Sequence, residues 1–150
     1  MSAFIAALVA EDLDTIPNRT LYTPKDEEAW LAKAAAGRAF FLLAFDGPEI
    51  VGLLDLWAGE TRGARHVVRF GMSVARDWRG RGLGRRLLER ALEEVRAWPD
   101  VCRIELEVVP WNTPAVRLYE SLGFTVEARK AKAIDLRGSP EDLLLMSRVW

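Results

Sequence analysis

Residues 76–98, RDWRGRGLGRRLLERALEEVRAW, constrain this chain more than any other stretch. Three glycines and five arginines fall within residues 76–86, directly ahead of an amphipathic helical pattern. Glycine at that density costs chain entropy on folding, and crowded arginines repel one another. A group outside the chain is therefore expected to compensate for both. Gly80, Gly82 and Gly84 lie between an apolar strand pattern and a helix. Glycines there let the backbone approach a ligand and turn its amides inward, and the helix N-terminus adds partial positive charge. Arg79, Arg81, Arg85 and Arg86 bring the forked donors that phosphate prefers. The stretch reads as an anion cradle, best suited to a diphosphate. The competing reading is a tight turn ahead of a salt-bridged surface helix.

The wider sequence narrows the ligand. A phosphate loop of the Gly-Lys-Ser/Thr type is absent, and GRGLG does not have the G-x-G-x-x-G spacing of a dinucleotide fold. A nicotinamide or flavin enzyme is thus disfavoured. Residues 1–150 are expected to form one domain, being half apolar and 29% charged. A formal net charge of −1 argues against nucleic-acid or membrane-surface binding. No apolar run is long enough to span a bilayer, and the opening MSAFIAALVA lacks the basic start of a signal peptide. A single cysteine, Cys102, permits no internal disulfide and points to a reducing compartment, the cytoplasm. Cys102 itself reads as a small core residue in an apolar strand. No metal site is expected.

The element pattern implies an α/β mixed sheet with helices on its faces. Phe4, Ile5, Leu8, Val9 and Leu13 have helical spacing. Asp14 to Pro24 is turn-rich; Thr23 and Pro24 start a helix that Gly37 ends. AFFLLAF and IVGLLDL, separated by DGPE, read as a hairpin. Strand Val67–Val74, helix Gly82–Ala97 and an alternating strand, CRIELEVV, follow. A short helix runs from Thr113-Pro114 to Gly123. Strands Thr125–Ile134 and Leu143–Val149, joined by DLRGSPED, complete the chain.

Two segments then carry a family resemblance. SVARDWRGRGLGRRLLERAL resembles the acetyl-CoA signature of the GNAT superfamily of N-acetyltransferases, Gln/Arg-x-x-Gly-x-Gly/Ala, matched by residues 79–84. WNTPAVRLYESLGF, Trp111 to Phe124, is similar to that family's Asn-x-x-Ala-x-x-Leu-Tyr-x-x-x-Gly-Phe segment. The resemblance implies a mostly antiparallel sheet in which two neighbouring strands splay apart. The pantetheine arm of acetyl-CoA would lie in that gap along the backbone of Met72, Ser73 and Val74. The pyrophosphate would sit on the segment Arg79, Gly80, Arg81, Gly82, Leu83, Gly84 and Arg85. Asn112 would hydrogen-bond the arm or, on the residues alone, cap a helix. Tyr119 would protonate or hydrogen-bond the leaving thiolate, with packing as its competing role.

Two departures from the family stand out. Members usually open with a strand, whereas this sequence starts almost inside the first helix; either the sequence is short there or the sheet has lost an edge strand, and a lost strand would leave the strand from Ala39 to Phe45 an unpaired edge and favour a homodimer. Relatives often carry a glutamate, serving as general base, where this chain has Arg69. Glu105 and Glu107 share one strand face and, with His66, are further acid–base candidates, since a carboxylate in such a cleft can have a raised pKa; a solvated or salt-bridged face is the competing reading, an ordered water chain is another route, and the residues assign no base. The expected reaction is acetyl transfer from acetyl-CoA to a small-molecule primary amine. Arg69 would hold the carboxylate of an amino-acid-like acceptor. A protein N-acetyltransferase and a non-catalytic acyl-CoA sensor are the alternatives. The acceptor surface is expected from Asp14–Pro24 and the turn at residues 137–139.

Overall fold

The computed structural model describes residues 4, 7–8, 24–35, 37, 39–59, 61–136 and 138–150. Phe4, Ala7 and Leu8 are helical, and Phe4 and Leu8 pack in a small cluster with Leu53. Helix α1 (Pro24–Ala35) is followed by β1 (Ala39–Asp46) and β2 (Glu49–Ala58). Next come β3 (Val67–Val74), α2 (Leu83–Arg96), β4 (Arg103–Val108), α3 (Thr113–Ser121), β5 (Thr125–Leu136) and β6 (Ser139–Val149). The described strands form one six-stranded sheet in the order β1-β2-β3-β4-β6-β5. All ladders are antiparallel except β3–β4. That parallel pair needs a crossover, and α2 supplies it.

Alternation along the strands sorts the sheet into two faces. Leu54, Leu56, Val68, Phe70, Ile104, Leu106 and Met146 join the main core with Leu87, Leu88, Ala91, Leu92 and Val95 of α2. Burying each leucine contributes about 1.5–3 kcal/mol, so this stripe fixes the helix on the sheet. Gly52 allows the close approach: a Cβ there would lie 3.0 Å from Leu87 Cδ1 and 3.3 Å from the Ala44 Cβ. On the other face, Leu53 and Phe41 pack with Phe4 and Leu8, and Asp55, Arg69, Glu105 and Glu107 lie beside them across the sheet.

The structure extends or corrects several expectations. The DLRGSPED segment is mostly strand: β5 and β6 pair up to Leu136 opposite Ser139. Asp135 Oδ1 accepts from the Gly138 amide at 2.6 Å, and Gly138 has φ +78°, so a tight turn replaces an eight-residue loop. Cys102 is exposed, not a core residue, because it precedes β4 at the end of the sheet. Most of the expected N-terminal helix, and nearly all of Asp14–Pro24, lie outside the described residues. Among those described, no strand precedes β1, which forms one edge of the sheet.

Candidate active site

β3 and β4 pair only through Val67–Arg103, Val68–Ile104 and Arg69–Glu105. Beyond Arg69, β3 continues to Val74 on β2 alone, and β4 continues to Val108 on β6 alone. The sheet therefore opens into a slot walled by Phe70–Val74 and Leu106–Val108. Met72, Ser73 and Val74, all half-buried, line one wall. Strand edges facing a slot can hydrogen-bond an extended ligand as an added strand does.

The slot leads toward the glycine–arginine segment. Gly80 and Gly82 have φ of +69° and +83°, a backbone that a side chain disfavours. Gly82 is the N-cap of α2 and supplies no side-chain cap. The first helical bond runs from the Arg86 amide to the Gly82 carbonyl at 3.1 Å. Among the described residues, no carbonyl accepts from the amides of Gly80 to Arg85. These amides and the helix end form a row of backbone donors of the kind that can hold an anion. Gly84 serves packing, since its Cβ position lies 3.5 Å from Met72 Cε and 3.6 Å from Leu118 Cδ2.

The arginines depart from the expectation that an outside anion must relieve their crowding. Arg79 Nε donates to the Val74 carbonyl at 2.8 Å, tying the loop to the end of β3. The Arg81 guanidinium lies 5.7 Å from the Trp78 ring centroid. Arg85 donates to Ser121 Oγ at 2.7 Å and pairs with Glu89 at 3.5 Å. Three of the four have partners within the chain, so the amides are the unsatisfied donors.

Tyr119 sits beneath the mouth of the slot on the helix-covered face. Its ring meets Phe70 edge-on at 5.8 Å and Phe124 at 6.0 Å. Phe70 is the first β3 residue beyond the last β3–β4 pair. Burial pushes the Tyr119 hydroxyl up to about 12, so it stays protonated and able to donate at neutral pH. Asn112 caps α3, its Oδ1 accepting from the Ala115 amide at 3.4 Å.

On the opposite face, Arg69 Nε meets Glu105 Oε1 at 2.8 Å, and Arg103 Nε meets Glu105 Oε2 at 2.8 Å. Arg103 also pairs with Glu127, which accepts from Ser147 Oγ at 2.6 Å. Burial alone would raise the Glu105 carboxyl, but the bonds from Arg69 and Arg103 outweigh it and hold it below its ordinary value. This reverses the raised pKa expected of a carboxylate here. Glu107 is exposed and pairs with Lys130 at 2.7 Å. His66 is exposed at the far end of β3 from the slot. A cavity of about 210 Å³ lined by Trp57, Val67, Arg69 and Glu105 opens on this face. The sequence reading passed over Asp55, which faces Gly71 across β2–β3. A lone carboxylate inside the apolar run IVGLLDL was the available signal.

Residues 7–124 match the model of the Acetyltransferase (GNAT) family. The L-amino acid N-acetyltransferase of Escherichia coli strain K12 is 31% identical over 133 residues, 87% of this chain and 82% of that protein. The ribosomal-protein-alanine N-acetyltransferase structure from Brucella melitensis superposes with a TM-score of 0.85 at 26% identity, covering 100% of this chain and 96% of that one. A candidate acetyltransferase from Salmonella typhimurium, solved with its cofactor acetyl-CoA, gives 0.84 at 25% identity, covering 99% and 90%. The protein is thus an enzyme of acetyl transfer. The chain belongs to the GNAT acetyltransferase family.

Proposed function

We propose that this protein transfers the acetyl group of acetyl-CoA to the primary amine of a small, amino-acid-like acceptor in the cytoplasm. The slot between β3 and β4, ending on the unpaired amides of Gly80–Arg85, carries this reading. Its shape suits a long flexible arm joined to a diphosphate, so the residues fit acetyl-CoA, which supplies an acetyl group already activated as a thioester. The Met72–Val74 backbone holds the arm. The amides of Gly80, Arg81, Gly82, Leu83, Gly84 and Arg85 hold the diphosphate, while Arg79 braces the loop. Asn112 uses its Oδ1 on the helix cap, leaving its Nδ2 donors for the arm. Tyr119 hydrogen-bonds or protonates the sulfur as it leaves.

The acceptor side rests on charge. The Arg69 side chain is 63% exposed and uses Nε on Glu105. Its terminal nitrogens are available to an acceptor carboxylate in the forked geometry that guanidinium favours. Glu105 and Glu107 then act through their cationic partners, Glu105 by orienting Arg69. The similarity to an L-amino acid N-acetyltransferase supports the same class. A peptide N-terminus offers the same α-amine without an adjacent free carboxylate, so Arg69 separates that alternative. The buried Tyr119 hydroxyl, without a described partner, favours catalysis over sensing. A homodimer through the β1 edge belongs to the same proposal: Leu43 and Phe45 are exposed there.

The test is acetyl-CoA consumption across amino acids, polyamines, aminoglycosides and peptides, with wild type and Arg69→Ala. Amino acids should lead in the wild type, and Arg69→Ala should raise their KM selectively. A lead by polyamines or peptides overturns the acceptor class. CoA binding with no amine acetylated supports a sensor instead.

A further inference from the structure

An acceptor ammonium must lose a proton before its nitrogen can attack, and the β3 side chain beside the slot on this face is Arg69, a guanidinium that cannot take one. The carboxylates on this face differ sharply in their freedom to serve. Glu105 is held by two guanidiniums, Glu127 by Arg103 and Ser147, and Glu107 by Lys130. Asp55 has no ion-pair partner among the described residues; its carboxylate accepts from its own backbone amide.

We propose that Asp55 is the general base of the acetyl transfer, binding the acceptor ammonium at the slot and taking its proton. This rests on the acetyl-transfer reading above. Register supplies the first argument. Asp55 lies opposite Gly71, the second β3 residue beyond the last pair with β4. The carboxylate therefore stands at the lip where the sheet opens. Gly71 supplies the second. A Cβ there would come within 2.9 Å of Asp55 Oδ1. The Gly71 backbone lies outside the positive-φ region, so glycine is needed for the space the carboxylate occupies and not for the backbone.

Face supplies the third argument. Phe70 packs toward Tyr119 and the core helix face, whereas Gly71 and Asp55 belong to the opposite face of the sheet. A proton acceptor and a proton donor then flank the slot from its two sides. The neighbours of Asp55 are consistent with this role. Across β1 it faces Phe41, and along β2 it lies between Leu53 and Trp57; the described N-terminal residues packed on Leu53 and Phe41 are the apolar Phe4 and Leu8. Arg69, two residues along β3 and so about 6.6 Å from Gly71, is the nearest cation in register and is paired with Glu105. Burial raises the Asp55 carboxyl to about 6, its own amide opposing, which suits a base near neutral pH. An amino acid would span the two residues, ammonium on Asp55 and carboxylate on Arg69.

The proton balance closes. The Asp55 carboxylate takes one proton from the ammonium, giving a neutral amine and a neutral carboxyl. The amine nitrogen bonds to the acetyl carbon, the carbon–sulfur bond breaks with its electron pair on sulfur, and the second amine proton offsets the one given to the thiolate. Asp55 returns its proton to solvent.

The test is Asp55→Asn, assayed over pH 5–9 with the best amine of the panel. The expected result is a fall in kcat/KM of about 100-fold or more at pH 7, with loss of the wild-type decline below about pH 6. The CoA-induced rise in melting temperature should persist, which also shows that the variant folds. Gly71→Ala, which crowds the carboxylate without removing it, should lower kcat/KM with CoA binding retained. An Asp55→Asn enzyme within about threefold of wild type, its acid limb intact, overturns the proposal while leaving acetyl transfer standing. A wild type that acetylates no amine overturns both. If Asp55→Asn does not fold, Gly71→Ala decides: unchanged kcat/KM overturns the assignment.

Discussion

Replacing Asp55 by asparagine removes a charge that folding must strip of water, so the variant is expected to be more stable as well as less active. The carboxyl rises from its ordinary 3.8 to about 6 in the folded protein, chiefly through burial. That difference corresponds to a cost of about 3 kcal/mol for the ionised form, at 1.36 kcal/mol per pH unit. The asparagine amide recovers only part of this, because it brings donors that need partners, at about 1–3 kcal/mol for an unsatisfied buried group. A net gain of between about 0 and 2 kcal/mol at pH 7.5 follows. The sign has a definite pH window. Between 3.8 and about 6 the folded state holds a proton that the unfolded state has released, so wild-type stability rises as pH falls through that range. The variant's advantage is full above about pH 6 and gone below 3.8. Urea unfolding of both proteins at pH 7.5, 6, 5 and 4 measures it. Lower stability of the variant at pH 7.5, or a difference that does not change with pH, refutes the buried-charge argument.

Gly82→Asp should abolish the CoA-induced rise in melting temperature, since it puts a side chain on a φ of +83° and a negative charge at the helix N-terminus; thermal shift with and without CoA reads this directly. Tyr119→Phe should lower kcat by about 100-fold or more, the scale of a lost general acid, with CoA affinity nearly unchanged. An unaltered kcat leaves Tyr119 with packing alone. Light scattering at micromolar concentration should give twice the mass of one chain, and a monomer refutes the role of the β1 edge.

Much of the fold was legible because apolar period and punctuation agree. Gly37 at φ +69° stops α1, and Gly47 at φ +54° turns β1 into β2. The Leu87–Val95 stripe fixes one face of α2. The DLRGSPED turn misled because Gly, Ser, Pro and Asp usually signal a loop. Here Pro140 lies in β6, near its start and in register with Asp135, while Gly138 and Asp135 close the turn beside it. Cys102 misled because an apolar neighbourhood in sequence does not reveal that the strand ends there.

The site divides along a different line. A turn of free backbone amides is legible, because only glycine adopts the φ of Gly80 and Gly82 without strain and its spacing is local in sequence. A constellation of side chains from separate strands is not, because register decides which residues meet. Glu105 reads in sequence as an acid–base candidate or as part of a salt-bridged face, and only β3–β4 pairing, which sets Arg69 beside it with Arg103 completing the clamp, decides for the second. The same ladder system places Asp55 over Gly71, sixteen positions away in sequence. Sequence shows one carboxylate breaking an apolar strand, a residue whose burial requires either a partner or a use. The structure supplies no cationic partner among the described residues, and supplies a slot. The proposal of catalysis from buried charge becomes specific at that point, because an acid without a cationic partner among the described residues stands opposite Gly71, just past the last β3–β4 pair.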